Sequence, residues 1–257
     1  MRYLLKPFQW IYCLYALILF IAIMLLIFPF ALIASFFGKV KGGNMIYRLC
    51  MFWGDTWFPL VFIFHKNLYE QPHDKNRQYI FVINHISYLD AAIIVKAVRQ
   101  PVRPLGRIEL SKMPVFGFIY RNAIITVDRS DSKNRLKSVR RLKAVLRSGI
   151  SIVFFPEGTF NLTNHPLKEF FDGAFRIAIE TQTPIRPILF LDSYKRHNNK
   201  HFFSLTPGRC RTVYLEEISV DGLTVHDVPV LKQRVYELME RKLIQYKAPW
   251  TVGNYEL

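Results

Sequence analysis

His85 and Asp90 stand five residues apart in the run Asn84-His85-Ile86-Ser87-Tyr88-Leu89-Asp90. A turn between them brings the carboxylate back onto the imidazole. A carboxylate on one ring nitrogen fixes the tautomer and stabilises the imidazolium, which leaves the other nitrogen as a general base. A helix-capping Asp beside an unrelated His has the same spacing. A second cluster is Phe155-Pro156-Glu157-Gly158-Thr159, where Gly158 permits tight backbone geometry and Glu157 can accept from a hydroxyl or pair with a base. A plain turn with a solvated Glu fits it equally. Arg107, in Arg107-Ile108-Glu109-Leu110, and Arg129, after Asp128, are cations whose forked guanidinium matches two phosphate oxygens; solvation or pairing with Asp128 is the plainer alternative. Ser87 lies within the first cluster but has no GxSxG elbow around it, which argues against a covalent acyl-serine.

The elements that must position these residues follow from the hydrophobic pattern. Residues 78–83 (QYIFVI), 123–127 (AIITV), 150–155, 185–191 and 211–217 are short runs rich in β-formers. Between them lie helical patterns at 90–99, 132–148, 172–181 and 228–246. Asp90 opens the first, Pro101 and Pro104 follow it, Ser130 or Asp131 caps the second and Gly149 ends it. The runs are apolar throughout rather than on alternate residues, as expected of a sheet covered on both faces. The pattern predicts an α/β domain with a central, mostly parallel or mixed sheet flanked by helices. His85 and Glu157 then both leave strand ends, where open α/β sheets bind ligands. The polar segment 195–201 (KRHNNKH) reads as an exposed loop.

Residues 8–37 contain no charge, and within them 10–30 form a 21-residue apolar run, long enough for a helix to cross the hydrocarbon core, which takes about 20 residues. A signal peptide fits poorly, since its apolar region is only about 7–15 residues and no small-residue cleavage site follows. Pro29 allows a bend. A second apolar stretch, 45–64, is interrupted by Arg48 and Asp55, which argues against a second clean crossing. It is either the return arm of a helical hairpin or an ordinary core helix. The chain therefore divides into a membrane-anchoring helical region, 1–65, and an α/β domain, 66–257. The latter carries 30 basic and 18 acidic residues, a formal +12 of the chain's +16. That charge suits the anionic cytoplasmic face of a bilayer, with anionic lipids as partners.

Other classes are excluded. The 51% hydrophobic and 15% aromatic content rules out a disordered chain. Three cysteines, Cys13, Cys50 and Cys210, form no CxxC pair, so neither a disulfide framework nor a Cys-based zinc cluster is expected. His73, His165 and His226 lack ligand company and no HExxH occurs, so no metal is predicted. Helix 132–148 places Leu136, Val139, Leu142, Val145 and Leu146 near one face and seven Lys or Arg over the rest. That reads as a core-facing stripe with a solvated basic face, or as a surface for headgroups or donor phosphates. No nucleic-acid module appears, and no nucleic-acid partner is expected.

Taken in order, NHxxxxD, a KxEL-like element at Arg107–Leu110, IxxxDR, FPEGT and PxxP resemble the glycerolipid acyltransferase family over roughly residues 80–190. The resemblance implies an O-acyltransferase that needs no cofactor. It would take its acyl group from acyl-CoA or acyl-carrier protein and pass it to a lysophospholipid, typically 1-acyl-glycerol-3-phosphate. It implies His85 as general base, Asp90 as its orienting partner and Arg129 as the phosphate ligand. Arg107 stands for the family's usual Lys and keeps its charge. Glu157, Gly158 and Thr159 would shape the acceptor site, and Pro187, paired with Pro184 in the last block, would lie near the donor. Three departures touch acceptor recognition: Ala123 where Gly is usual, Phe160-Asn161 where a basic-Ser pair is common, and Phe171 in a run that normally holds Lys. They keep open another lysolipid acceptor, such as lyso-ornithine lipid, and a non-catalytic lipid-binding protein of the same fold.

Overall fold

In the computed structural model, which describes residues 6–127, 132–163, 165–198 and 201–251, strand β2 (Ile80–Ile83) lies at the centre of the sheet. All four of its residues are buried, and they divide between two cores. Phe81 and Ile83 face one, Ile80 and Val82 the other. This is the sheet covered on both sides that the unbroken apolar runs predict.

The seven strands are β1 (Ile63–Tyr69), β2, β3 (Val102–Arg107), β4 (Ile125–Val127), β5 (Ser151–Phe154), β6 (Ile185–Phe190) and β7 (Gly208–Tyr214), in the order β1-β7-β6-β2-β5-β3-β4. From β6 through β4 every pair is parallel, β7 runs antiparallel to β6, and β1 is parallel to β7. The sheet is therefore mixed, and five parallel strands deliver their C-terminal ends to one edge.

Helices α1 (Lys6–Ser35), α2 (Gly43–Leu60), α3 (Asp90–Ala97) and α4 (Phe116–Ala123) serve the first core. Helices α5 (Ser132–Arg147), α6 (Gly173–Thr181) and α8 (Val228–Gln245) serve the second, and α7 (Ser193–Arg196) is a single turn beyond β6. On α5, Leu142 and Leu146 are buried as the stripe predicts. The capping positions Ser130 and Asp131 lie outside the described residues.

Several elements differ from the sequence reading: α4 was not expected, and it takes Ala123, so β4 begins at Ile125 rather than at 123. β1 and β3 were not expected. β1 is an edge strand with a mixed burial pattern, and β3 holds Pro104 and Gly106, ordinarily loop signals; its ladders with β4 and β5 impose extended backbone regardless. β7 begins three residues earlier than the predicted 211, because its parallel ladder with β1 starts at Gly208. Within 195–201, Arg196 is buried rather than solvated, since α7 turns it inward.

The stretch 45–64 resolves into α2, a core helix with Ile46, Tyr47, Trp57 and Phe58 buried, followed by the start of β1. It is also the return arm of a hairpin. The Trp57 indole donates to the Ala16 carbonyl at 2.8 Å and the Trp53 indole to that of Phe20 at 3.3 Å. At the turn, Gly42 lies so close to the Ala34 carbonyl that a Cβ would collide with it. α1 is the one helix among the described residues that is long and apolar enough to cross a membrane. Its outward face, including Trp10, Leu14, Ile18, Leu25 and Phe30, is exposed and apolar.

Candidate active site

β2 ends at Ile83, and the chain turns through 84–89 into α3. Asn84 anchors this turn: its amide donates to the Phe190 carbonyl at 3.2 Å and accepts the Phe190 N–H at 2.8 Å. It thereby continues the β2–β6 pairing with a side chain. His85 then leaves the sheet at its C-terminal edge, and Asp90 sits in the first turn of α3, where the helix dipole favours an anion.

Asp90 Oδ2 accepts three hydrogen bonds, from His85 Nδ1 at 2.9 Å and from the backbone N–H groups of Ile86 and Ser87, both at 2.8 Å. The Asp90 side chain is fully buried, whereas that of His85 keeps 19% of its surface exposed. A carboxylate only accepts, so Nδ1 of His85 carries the proton and Nε2 of the neutral ring carries the lone pair. The ring is held flat against Phe155, centroids 4.1 Å apart, and edge-on by Phe160 at 4.4 Å. This is the geometry of an oriented general base in a partly apolar setting.

Glu157 does something the sequence did not reveal. Its carboxyl is buried, and both oxygens accept backbone N–H groups: Oε1 that of His85 at 2.7 Å, Oε2 that of Lys168 at 2.9 Å. Among the described residues neither oxygen pairs with a basic side chain. Burial pushes its pKa up to about 8, outweighing the two donors that favour the carboxylate. The Asn161 N–H donates to the His85 carbonyl at 2.8 Å, so His85 is tied through both backbone groups to the 155–161 turn. Gly158 closes that turn at φ +72°, a left-handed conformation that disfavours other residues. Thr159 is exposed, and its hydroxyl accepts from the Lys168 ammonium at 3.0 Å.

The remaining expected residues are less central. Arg107 ends β3 at the same sheet edge, with its side chain 79% exposed and 3.6 Å from Glu109. Arg129, two residues after β4 in the sequence, lies outside the described residues. Pro187 is buried within β6, in register with Val82, and its carbonyl accepts from Leu215. The structure thus joins His85, Asp90, Glu157 and Gly158 into one unit, with Thr159 and Arg107 on the same edge, and sets Pro187 inside the sheet. The Ser87 hydroxyl is occupied: it donates to the His197 carbonyl and accepts from the Leu89 N–H at 3.0 Å. Asn84 and Phe155, which lie inside the two motifs, Phe160 and Asn161, which stand where the family commonly has a basic-Ser pair, and Lys168 complete the site; for Lys168 the sequence held no signal. Among the described residues no group of His, Cys, Asp or Glu could hold a metal ion.

Residues 62–191, half of the chain, match the family model described as Acyltransferase. The chain is 30% identical over 163 residues to mouse 1-acyl-sn-glycerol-3-phosphate acyltransferase alpha, covering 63% of this chain and 57% of that protein. It thus spans little more than half the length of that relative. To the 1-acyl-sn-glycerol-3-phosphate acyltransferase of Haemophilus influenzae it is 26% identical over 207 residues, covering 79% and 83%. Its fold matches the crystal structure of the 1-acyl-sn-glycerophosphate acyltransferase of Thermotoga maritima with a TM-score of 0.73 at 21% identity, covering 96% of this chain and 98% of that one. With the matched segment enclosing both the His85–Asp90 pair and the Glu157 turn that holds it, the chain belongs to the acyltransferase family.

Proposed function

We propose that the protein is a membrane-bound O-acyltransferase that converts 1-acyl-glycerol-3-phosphate to phosphatidic acid, with acyl-CoA or acyl-carrier protein as donor and no cofactor. The observation that carries this reading is the His85–Asp90 pair, with Nε2 left without a protein partner among the described residues. Nε2 removes the proton of the acceptor's 2-hydroxyl as its oxygen attacks the thioester carbonyl carbon. Asp90 stabilises the imidazolium that forms. Collapse of the tetrahedral intermediate breaks the C–S bond, and the imidazolium returns the proton to the departing thiolate. The products are an ester and a free thiol.

Around this base, Arg107 and Arg129 serve the acceptor phosphate, Gly158 and Thr159 line the acceptor side, and Pro187 supports the donor side. Glu157 acts through the backbone of His85 and is a positioning residue. α1 anchors the protein, with the basic domain on the anionic cytoplasmic face.

Purified protein offered a panel of lysolipids with each donor tests the reading. Turnover of 1-acyl-glycerol-3-phosphate is expected, with His85→Ala abolishing transfer while the variant stays folded and membrane-bound. Arg129→Ala is expected to raise KM for phosphate-bearing acceptors. Near-normal rates in His85→Ala overturn the base assignment.

A second acceptor class has one observation in its favour. Phe160, where the family commonly has a basic residue, packs its ring on His85. An aminolipid acceptor such as lyso-ornithine lipid suits that less cationic wall, and turnover of it without turnover of 1-acyl-glycerol-3-phosphate reverses the preference. The intact base pair argues against a non-catalytic lipid-binding protein.

A further inference from the structure

The apolar surface does not stop at α1. The Tyr12 hydroxyl donates to the Val61 carbonyl, and that of Tyr15 donates to Leu60 at 3.0 Å. The Cys13 thiol, on the same turn of α1, donates to the Leu205 carbonyl at 3.8 Å. The chain on either side of these contacts carries large apolar side chains that remain exposed. Phe62 is 58% exposed, Phe64 60% and Phe202 67%, with Phe203 and Leu60 also exposed. Phe62 and β7 are joined at this place, since the Gly208 N–H donates to the Phe62 carbonyl at 2.8 Å. The start of edge strand β1 and the tip at Phe202–Phe203 therefore extend the exposed face of α1 as one apolar band.

The tip also reaches the catalytic turn. The Phe202 carbonyl accepts from His197 Nε2 at 2.8 Å, the His197 carbonyl accepts from the Ser87 hydroxyl, and the Ser87 N–H donates to Asp90 Oδ2. Three hydrogen bonds thus link an exposed phenylalanine to the carboxylate that orients the base. Lys195, close in sequence to this tip, and Arg209, within β7, supply the positive charge that anionic headgroups attract.

We propose that Leu60, Phe62, Phe64 and the Phe202–Phe203 tip form a second membrane contact, inserting into the same bilayer that receives α1 and seating the catalytic turn at the lipid surface. The partner is a phospholipid leaflet with anionic headgroups. Isolated exposed apolar residues are ordinary on protein surfaces, but a contiguous band continuing an anchor helix is a lipid-facing surface. The proposal rests on the membrane reading of α1 made above and does not depend on the identity of the acceptor.

The test is photocrosslinking in the full chain reconstituted into phosphatidylethanolamine–phosphatidylglycerol vesicles. p-Benzoylphenylalanine, which barely perturbs a phenylalanine site, replaces Phe62, Phe202, Phe30 on α1, or the exposed Val230 on α8 in separate preparations. Lipid adducts are then read by mass spectrometry. The expected result is adducts at 62 and 202 as at 30, and their loss at 230. Adducts at 30 with none at 62 and 202 overturn the proposal and leave the anchor standing. No adduct at 30 overturns the membrane reading itself, and the second contact with it.

Discussion

The carboxyl of Glu157 accepts the backbone N–H of His85 at 2.7 Å, across 72 residues of sequence. Its other oxygen holds the backbone of Lys168. His85 is thus fixed twice: by Asp90 through its ring and by Glu157 through its main chain.

The buried state of Glu157 has a sign that can be measured. Its pKa of about 8 lies above the ordinary 4.5, so between those values the folded state binds a proton that the unfolded state lacks. The stability this contributes is complete below the lower value and is lost as pH rises toward the upper one, at no more than about 1.4 kcal/mol per pH unit. Glu157→Gln removes this pH dependence. Its amide nitrogen also faces one of the two N–H donors, leaving a buried donor unpaired at a cost of about 1–3 kcal/mol. Thermal melts of both proteins across that range check this; a parallel pH slope in the variant would assign it to another group.

Asp90→Asn keeps the geometry and removes the charge. The amide oxygen can take the position of Oδ2 with its three donors, while Oδ1, which is buried and without a hydrogen-bond partner, becomes the NH2 group. The variant is expected to fold and to bind substrates with little change in KM. Its kcat falls by about 10²–10⁴, since the imidazolium loses its counter-charge. Steady-state kinetics separate the two parameters.

Ser87→Ala distinguishes a general base from a covalent serine. The hydroxyl is committed to the His197 carbonyl and the Leu89 N–H. Removing it costs about 1 kcal/mol of stability and leaves transfer within about tenfold of the parent, a change of roughly 1.4 kcal/mol or less in the barrier. Incubation of the parent with donor alone is expected to give no acyl adduct by intact-mass spectrometry.

Gly42→Ala probes how α1 is attached. The new methyl would meet the Ala34 carbonyl at the hairpin turn. Forced separation there costs about 1–3 kcal/mol and loosens the Trp57–Ala16 and Trp53–Phe20 contacts. A lowered melting temperature in detergent, with a shift in tryptophan emission, is the expected readout.

What the sequence alone determined is what local forces control. The apolar run that became α1, and the unbroken strands β2, β5 and β6, were legible because periodicity and length act within one element. The His85–Asp90 contact was legible for the same reason, since a five-residue turn closes it. The tertiary structure decided everything that needed a distant partner. β1 and β3 are extended because neighbouring ladders make them so, against the mixed sequence of β1 and the Pro- and Gly-bearing one of β3. Phe155 and Phe160 clasp His85, and Glu157 holds its backbone, only because β2 and β5 are adjacent parallel strands that bring two loops to one edge. A carboxylate at a strand end looks the same in sequence whether it faces a substrate or two main-chain amides. Its burial, which the packing of the whole domain sets, is what tells the two apart.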